Sequence, residues 1–180
     1  MPLNQAICAC SSILSGREKD VQIIAQFNEM GAGLDAFNRF RLYRVIFDAA
    51  RYLGNRGLML FFLQRMRDLP LRQHSQWFEN HLCLCGHLVH MDLSEEKLSA
   101  MRDKAKRLDF AELEWQWEYV LANYLLAQGK TEKAREAYRN VYYKIQEGQK
   151  LLPERYQQAY VNRPFRSYAF KRGMALVAAD

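Results

Sequence analysis

Apolar residues recur at helical spacing along most of the chain from residue 34 to residue 145. The clearest pattern lies in 115–145, where two amphipathic segments meet at Gln128 and Gly129. The apolar positions are Trp117, Val120, Leu121, Tyr124 and Leu125 in the first segment, and Ala134, Ala137, Tyr138, Val141 and Ile145 in the second. Steps of three and four residues place each set on one face of a helix. Because Gly129 can adopt the left-handed conformation that ends a helix, the stretch predicts a helical hairpin.

Two hairpins of similar length are predicted before this one. The first covers 34–69, reverses at Gly54–Gly57 and ends at Pro70, and the second covers 75–108 with its turn near Asp92. Serine is a preferred residue at the N-cap of a helix, so Ser94 predicts the start of a helix after it. The turn positions Gly57, Asp92 and Gly129 are 35 and 37 residues apart. A period of this size is typical of solenoids, in which each hairpin packs against the next.

The three hairpins, residues 34–148, are flanked at both ends by further predicted helices. Residues 1–33 contain short apolar segments at 3–15 and 21–30, which are either a separate flank or the remnant of a preceding repeat. Residues 149–180 predict two C-terminal helices that cover the apolar face of the last hairpin, as stacked arrays require. The sequence therefore predicts an all-α fold, an α-solenoid of about three hairpins with flanking helices. Abundant Leu, Ala, Arg, Gln and Glu support helix over strand.

The hairpin at 115–145 resembles the tetratricopeptide repeat, a helical hairpin of about 34 residues. Aligned on Gly129, the matching hydrophobic, small, alanine and aromatic positions are Leu121, Ala122, Ala134 and Tyr138. Two positions differ from the family pattern, since Val141 replaces a late alanine and Gln146 replaces the terminal proline. The C-terminal segment is similar to those that close repeat regions in bacterial signal-transduction and transcription regulators.

The resemblance implies a non-enzymatic module whose concave groove holds a peptide or domain of a partner protein. In this family the first helix of each hairpin lines the groove. By position and polarity, the residues expected to contact a partner are Arg44, Phe47, Arg51, His81, His87, Glu118 and Asn123.

Charge is unevenly distributed, although the net charge of the chain is only +6. Residues 39–72 carry eight basic side chains, all arginines, and two acidic ones. Arg44 and Arg51 lie seven residues apart and so share a helix face. This indicates an acidic partner segment if Arg39 and either Arg65 or Arg72 converge with them. The alternative for these arginines is a solvated convex face.

A second functional class is a nucleic-acid-binding helical repeat. It would use 39–72 together with 163–172, where basic and aromatic residues alternate as they do in proteins that stack bases and neutralise phosphates. The aromatic residues of 163–172 are equally what a capping helix buries. A secretion-type chaperone with three such repeats is a weaker alternative, because those proteins tend to be acidic.

Few residues suggest catalysis or metal binding. Cys83, His87 and His90 lie at i, i+4 and i+7 and could present ligands on one helix face, but no fourth ligand is evident. The alternative is that the histidines line the concave face or join helices by hydrogen bonds. Phosphate-loop and dinucleotide motifs are missing from the sequence. We therefore expect no catalytic residue, metal or cofactor, and, without a long apolar run, a cytoplasmic protein.

Overall fold

The computed structural model describes residues 33–71 and 75–178, and these form eight helices and no strands. The helices are α1 (Ala36–Tyr52), α2 (Arg56–Arg67), α3 (Gln76–His90), α4 (Glu95–Arg107), α5 (Ala111–Ala127), α6 (Thr131–Lys150), α7 (Glu154–Val161) and α8 (Pro164–Val177). The all-α prediction is thus confirmed for the described residues. None of these helices combines the length and apolarity needed to cross a bilayer. The short helices predicted at 3–15 and 21–30, and Arg72, lie outside the described residues.

The chain divides into two compact units between Met91 and Asp92. In the described residues the first unit contains α1–α3 and the second contains α4–α8. The division falls inside the second predicted hairpin, because α3 packs against α2 whereas α4 packs against α5. The left-handed residue that ends α3 is Met91 rather than Asp92. A continuous stack of three hairpins stays a prediction.

The first unit is a hairpin of α1 and α2 with α3 packed against it. Asp35, Asn55 and Ser75 cap the three helices through side-chain oxygens that accept backbone N–H bonds of 3.0 to 3.2 Å. Gly54 makes the turn between α1 and α2 with φ +69°, a conformation that side chains with a Cβ rarely adopt. The core is aromatic and aliphatic, and its members include Phe40, Leu42, Ile46, Phe47, Phe62, Leu63, Met66 and Phe78.

The second unit places α5 against both α4 and α6. The chain turns between α5 and α6 at Gly129, whose φ is +73°, as the sequence predicts. Asp109 has φ +54° and makes the corresponding turn between α4 and α5 without a glycine. Ser94 occupies the cap position of α4 but makes no capping hydrogen bond. The largest fully buried side chain among the described residues of the unit is Trp117 on α5.

Helix α8 packs closely on α6 and is part of the core of the second unit. Ala169 lies in one apolar cluster with Val141 and Ile145 of α6. At Gly173 the two helices approach so closely that a Cβ would lie 2.5 Å from the carbonyl oxygen of Tyr138. Glycine is therefore required at this crossing by space rather than by its backbone conformation.

A buried arginine holds the start of α8 against α5 and α7. Arg166 is 3% exposed, forms an ion pair with Glu112 and donates a 2.7 Å hydrogen bond to the carbonyl oxygen of Tyr160. Its guanidinium carbon lies 3.7 Å from the ring centroid of Tyr160 and 5.6 Å from that of Trp115. These contacts combine charge pairing with cation–π stacking.

Candidate functional site

Three arginines of the first unit converge near the middle of α3. Arg44 and Arg51 come from α1 and Arg67 from the end of α2, and all three act electrostatically on the thiol of Cys85. A Cβ at Gly86 would lie 3.4 Å from a terminal nitrogen of Arg67, so the missing side chain gives this guanidinium room beside α3. We call Arg44, Arg51 and Arg67 the arginine cluster.

An acidic group lies beside the cluster. Asp48 forms an ion pair with Arg44 one helical turn away and also acts on the thiol of Cys85. The Arg44 side chain is 12% exposed and its guanidinium carbon lies 5.7 Å from the ring centroid of Phe47. Arg51 and Arg67 are half-buried, so part of each remains accessible to solvent. Among the strongest charges that act on Cys85, three are positive and one is negative.

The other arginines of 39–72 that the structure describes serve different contacts. Arg39 donates a 2.7 Å hydrogen bond to the carbonyl oxygen of Leu34, and Arg65 lies 5.2 Å from the ring centroid of Phe61. Arg39 and Arg65 are thus engaged in other contacts, and the arginine of α2 that acts on Cys85 is Arg67. The spacing along α2 could not show this, because it depends on where α3 packs.

An apolar layer containing His81 supports the arginine cluster from inside. His81 lies 4.1 Å from Trp77 and 6.0 Å from Phe40 between ring centroids, and its Nδ1 has no hydrogen-bond partner. Burial, assisted by the positive charge of Arg44, lowers the pKa of His81 to about 3. The imidazole is consequently neutral near pH 7 and functions as a packed ring rather than as a proton carrier.

The cysteine and histidine residues of α3 are not arranged as a metal site. Across the part of the chain that the structure describes, no group of three or more His, Cys, Asp or Glu side chains is placed to hold a metal ion. His87 is buried whereas His90 is exposed. Burial raises the pKa of the Cys85 thiol to about 11, with Arg44 opposing the shift. Cys85 is therefore protonated and unreactive in the folded protein.

The second unit contains a polar groove of about 350 Å³ between α4, α5 and α6. The side chains that line it include Arg102, Glu114, Glu118, Asn140, Tyr143 and Lys144, and we call this feature the polar groove. Glu118 is 2% exposed and is the most buried of the side chains that line the groove.

Asn123 lies outside the polar groove and joins α5 to α6. Its side chain donates a 2.8 Å hydrogen bond to the carbonyl oxygen of Tyr119 and accepts one of 2.8 Å from the hydroxyl of Tyr138. The amide is already engaged on both sides, so its role in the structure is to position helices.

The seven residues expected to contact a partner are divided by burial. Those inside the fold are Phe47, His81, His87 and Glu118. Arg44 is largely covered, while Arg51 and Asn123 are half-buried. Helical periodicity identified a shared face for Arg44 and Arg51 correctly, but it could not distinguish a polar residue that faces solvent from one enclosed by the next helix. We therefore expect Phe47, His81 and His87 to support the fold, whereas Glu118, although buried, lines the polar groove.

The basic and aromatic segment 163–172 is largely used in packing. Arg166 is buried against Glu112 and Tyr160, and the guanidinium carbon of Arg172 lies 4.6 Å from the ring centroid of Tyr138. Phe170 packs on Tyr142 with ring centroids 4.8 Å apart. The positive charge of Arg166 is thus neutralised within the protein and is not presented to a nucleic acid.

Comparisons with protein-family models, with curated proteins and with solved structures found no match to this chain. The likeness to tetratricopeptide repeats rests on the residues quoted from 115–145, and the inferences about function rest on the geometry described above.

Proposed function

We propose that this protein is a non-enzymatic interaction module that binds an acidic segment of a partner protein through the arginine cluster. The observation that carries the proposal is that Arg44, Arg51 and Arg67 all lie near Cys85, where Arg67 approaches Gly86 and Arg44 pairs with Asp48. Guanidinium groups bind carboxylates through paired, charge-assisted hydrogen bonds. The same proposal includes a solenoid of tetratricopeptide-like hairpins, supported by turn positions 35 and 37 residues apart.

A short acidic peptide suits the cluster better than a nucleic acid does. Three guanidinium groups near one point of α3 match two or three neighbouring carboxylates. A nucleic acid is held by a longer track of cations along its phosphates, usually with exposed aromatic rings for the bases. The second basic segment adds little to such a track, because Arg166 is already paired with Glu112.

The test is fluorescence anisotropy with a labelled peptide that contains four glutamates, compared with the same peptide containing glutamines. We expect the glutamate peptide to bind more tightly and its affinity to fall with added salt. Combining Arg51→Gln with Arg67→Gln should weaken binding about tenfold or more, because both substitutions remove accessible charge from the cluster.

A matched control removes the same charge elsewhere in the first unit. Arg56 and Arg65 are exposed on α2 and lie outside the arginine cluster, so Arg56→Gln with Arg65→Gln should leave the affinity almost unchanged. An equal loss of peptide affinity in both double variants would show that the peptide is attracted by the overall positive charge of the protein. That result would contradict a specific site. Tighter binding of a single-stranded RNA of equal charge would favour the nucleic-acid alternative instead.

A further inference from the structure

One carboxylate that lines the polar groove of the second unit is buried and accepts only long hydrogen bonds. Glu118 accepts one hydrogen bond from Arg102 at 3.4 Å and one from the Asn140 amide at 3.3 Å. Both distances exceed those usual for an N–H bonded to a carboxylate, and a carboxylate can accept about four such bonds. A buried carboxylate with two long bonds gains from an additional donor.

The basic residues beside Glu118 are engaged with other acids. Arg102 donates to Asp103 at 2.9 Å and to Ser99 at 3.0 Å, so its guanidinium is shared between three groups. The Nζ atom of Lys144 lies 2.5 Å from Oε1 of Glu114 and forms an ion pair with it. Across the whole lining, three basic side chains face four acidic ones, which leaves one negative charge in excess.

An aromatic ring lies in the same lining. Tyr143 is 48% exposed and belongs to α6, as does Asn140. An arginine guanidinium is planar, stacks on aromatic faces and is more weakly hydrated than an ammonium group. It therefore matches a groove that combines an accessible ring with a buried carboxylate, and it loses less hydration on entry than a lysine would.

We propose that the polar groove binds the side chain of an arginine on a partner peptide, with its guanidinium donating to Glu118 and stacking on Tyr143. The site lies in the second unit and uses none of the residues of the arginine cluster. It goes beyond the function proposed above, because it assigns a basic residue of a partner rather than an acidic segment. Failure of either proposal leaves the other standing.

The test is a chemical-shift titration of the full-length, isotope-labelled protein with a blocked Ala-Arg-Ala tripeptide. Its control is the same tripeptide with citrulline, which keeps the shape of arginine and removes the charge. Up to about 10 mM peptide, which detects weak sites, we expect saturable shifts centred on the signals of Glu118, Asn140 and Tyr143 with arginine only. Absent shifts, equal shifts with citrulline, or shifts centred elsewhere would overturn the proposal.

Two substitutions at one exposed position separate the site from the stability of the fold. Asn140→Lys places an ammonium group next to Glu118, so it should occupy the groove from within and weaken binding about tenfold or more. Asn140→Ala removes one donor but leaves the carboxylate open, so binding should persist. Glu136→Gln, which removes an exposed acid of α6 outside the groove lining, should have no effect. Wild-type affinity in Asn140→Lys would contradict the assignment.

Discussion

Replacing Gly173 by alanine tests whether α8 is fixed against α6 at the observed distance. The new Cβ would lie 2.5 Å from the carbonyl oxygen of Tyr138 and 2.7 Å from the Cβ of Tyr142. Both obstacles are backbone or the first side-chain carbon, so neither can rotate away. Since ordinary contacts begin near 3.4 Å, the helices must separate by roughly 1 Å.

The expected loss follows from two opposing effects. Overpacking of a close-packed contact costs about 1–3 kcal/mol, whereas alanine is better than glycine in a helix interior by about 1 kcal/mol. We expect a net decrease of up to about 2 kcal/mol in the free energy of unfolding of the second unit. Urea unfolding followed by tryptophan fluorescence measures it, because Trp115 and Trp117 both lie in that unit.

Gly57→Ala is the control for this substitution. Gly57 also lies in a helix, but the nearest atom to its added Cβ is the side-chain oxygen of Asn55 at 3.5 Å, an ordinary contact. Only the gain in helix propensity applies there, so stability should stay unchanged or rise by up to about 1 kcal/mol. If Gly173→Ala changed stability by the same amount as Gly57→Ala, the close approach of α8 to α6 would be wrong.

Substitutions at three other positions test two buried polar residues and one turn. Because burial lowers the pKa of His81 to about 3, the unfolded chain takes up a proton there first, and stability should fall by about 2 kcal/mol between about pH 7 and about pH 5. His81→Phe should remove that part of the loss in urea titrations at the two pH values, and an unchanged slope would contradict it. Arg166→Met should destabilise the second unit by about 2–3 kcal/mol in thermal unfolding, and Arg166→Lys should not restore the stability, because a lysine lacks the planar group that stacks on Tyr160. Gly129→Ala should cost about 1 kcal/mol, since alanine disfavours a φ of +73°, and a neutral result would show that the turn rearranges easily.

Local signals in the sequence were sufficient for the helices and for two of the turns. The alternation of apolar and polar residues predicted α1, α2, α5 and α6, and Gly54 and Gly129 marked their turns because only the local backbone conformation matters there. Asp109 and Met91 adopt the same left-handed conformation without a glycine. The turn at Asp109 therefore gave a weaker signal in the sequence, and the turn at Met91 was predicted one residue away, near Asp92.

Burial of charged residues could not be predicted in the same way. Glu118 and Arg166 are charged residues, yet both are almost fully buried in the fold. Their enclosure depends on partners 16 to 54 residues away, namely Arg102 for the first and Glu112 for the second. Helical periodicity contains no information about such distant contacts. The same reason explains why Arg67, and not Arg65, completes the arginine cluster.

The thiol of Cys85 makes the opening of the first unit measurable by chemistry. Alkylating reagents attack the thiolate, and this thiol is fully buried with its pKa raised to about 11. Its modification at neutral pH therefore requires α3 to separate from α1 and α2. The rate at which Cys85 is labelled reports how often α3 separates from the other two helices. Cys85 therefore serves as a natural probe of local unfolding beside the arginine cluster. A ligand that binds the arginine cluster should lower the labelling rate of Cys85.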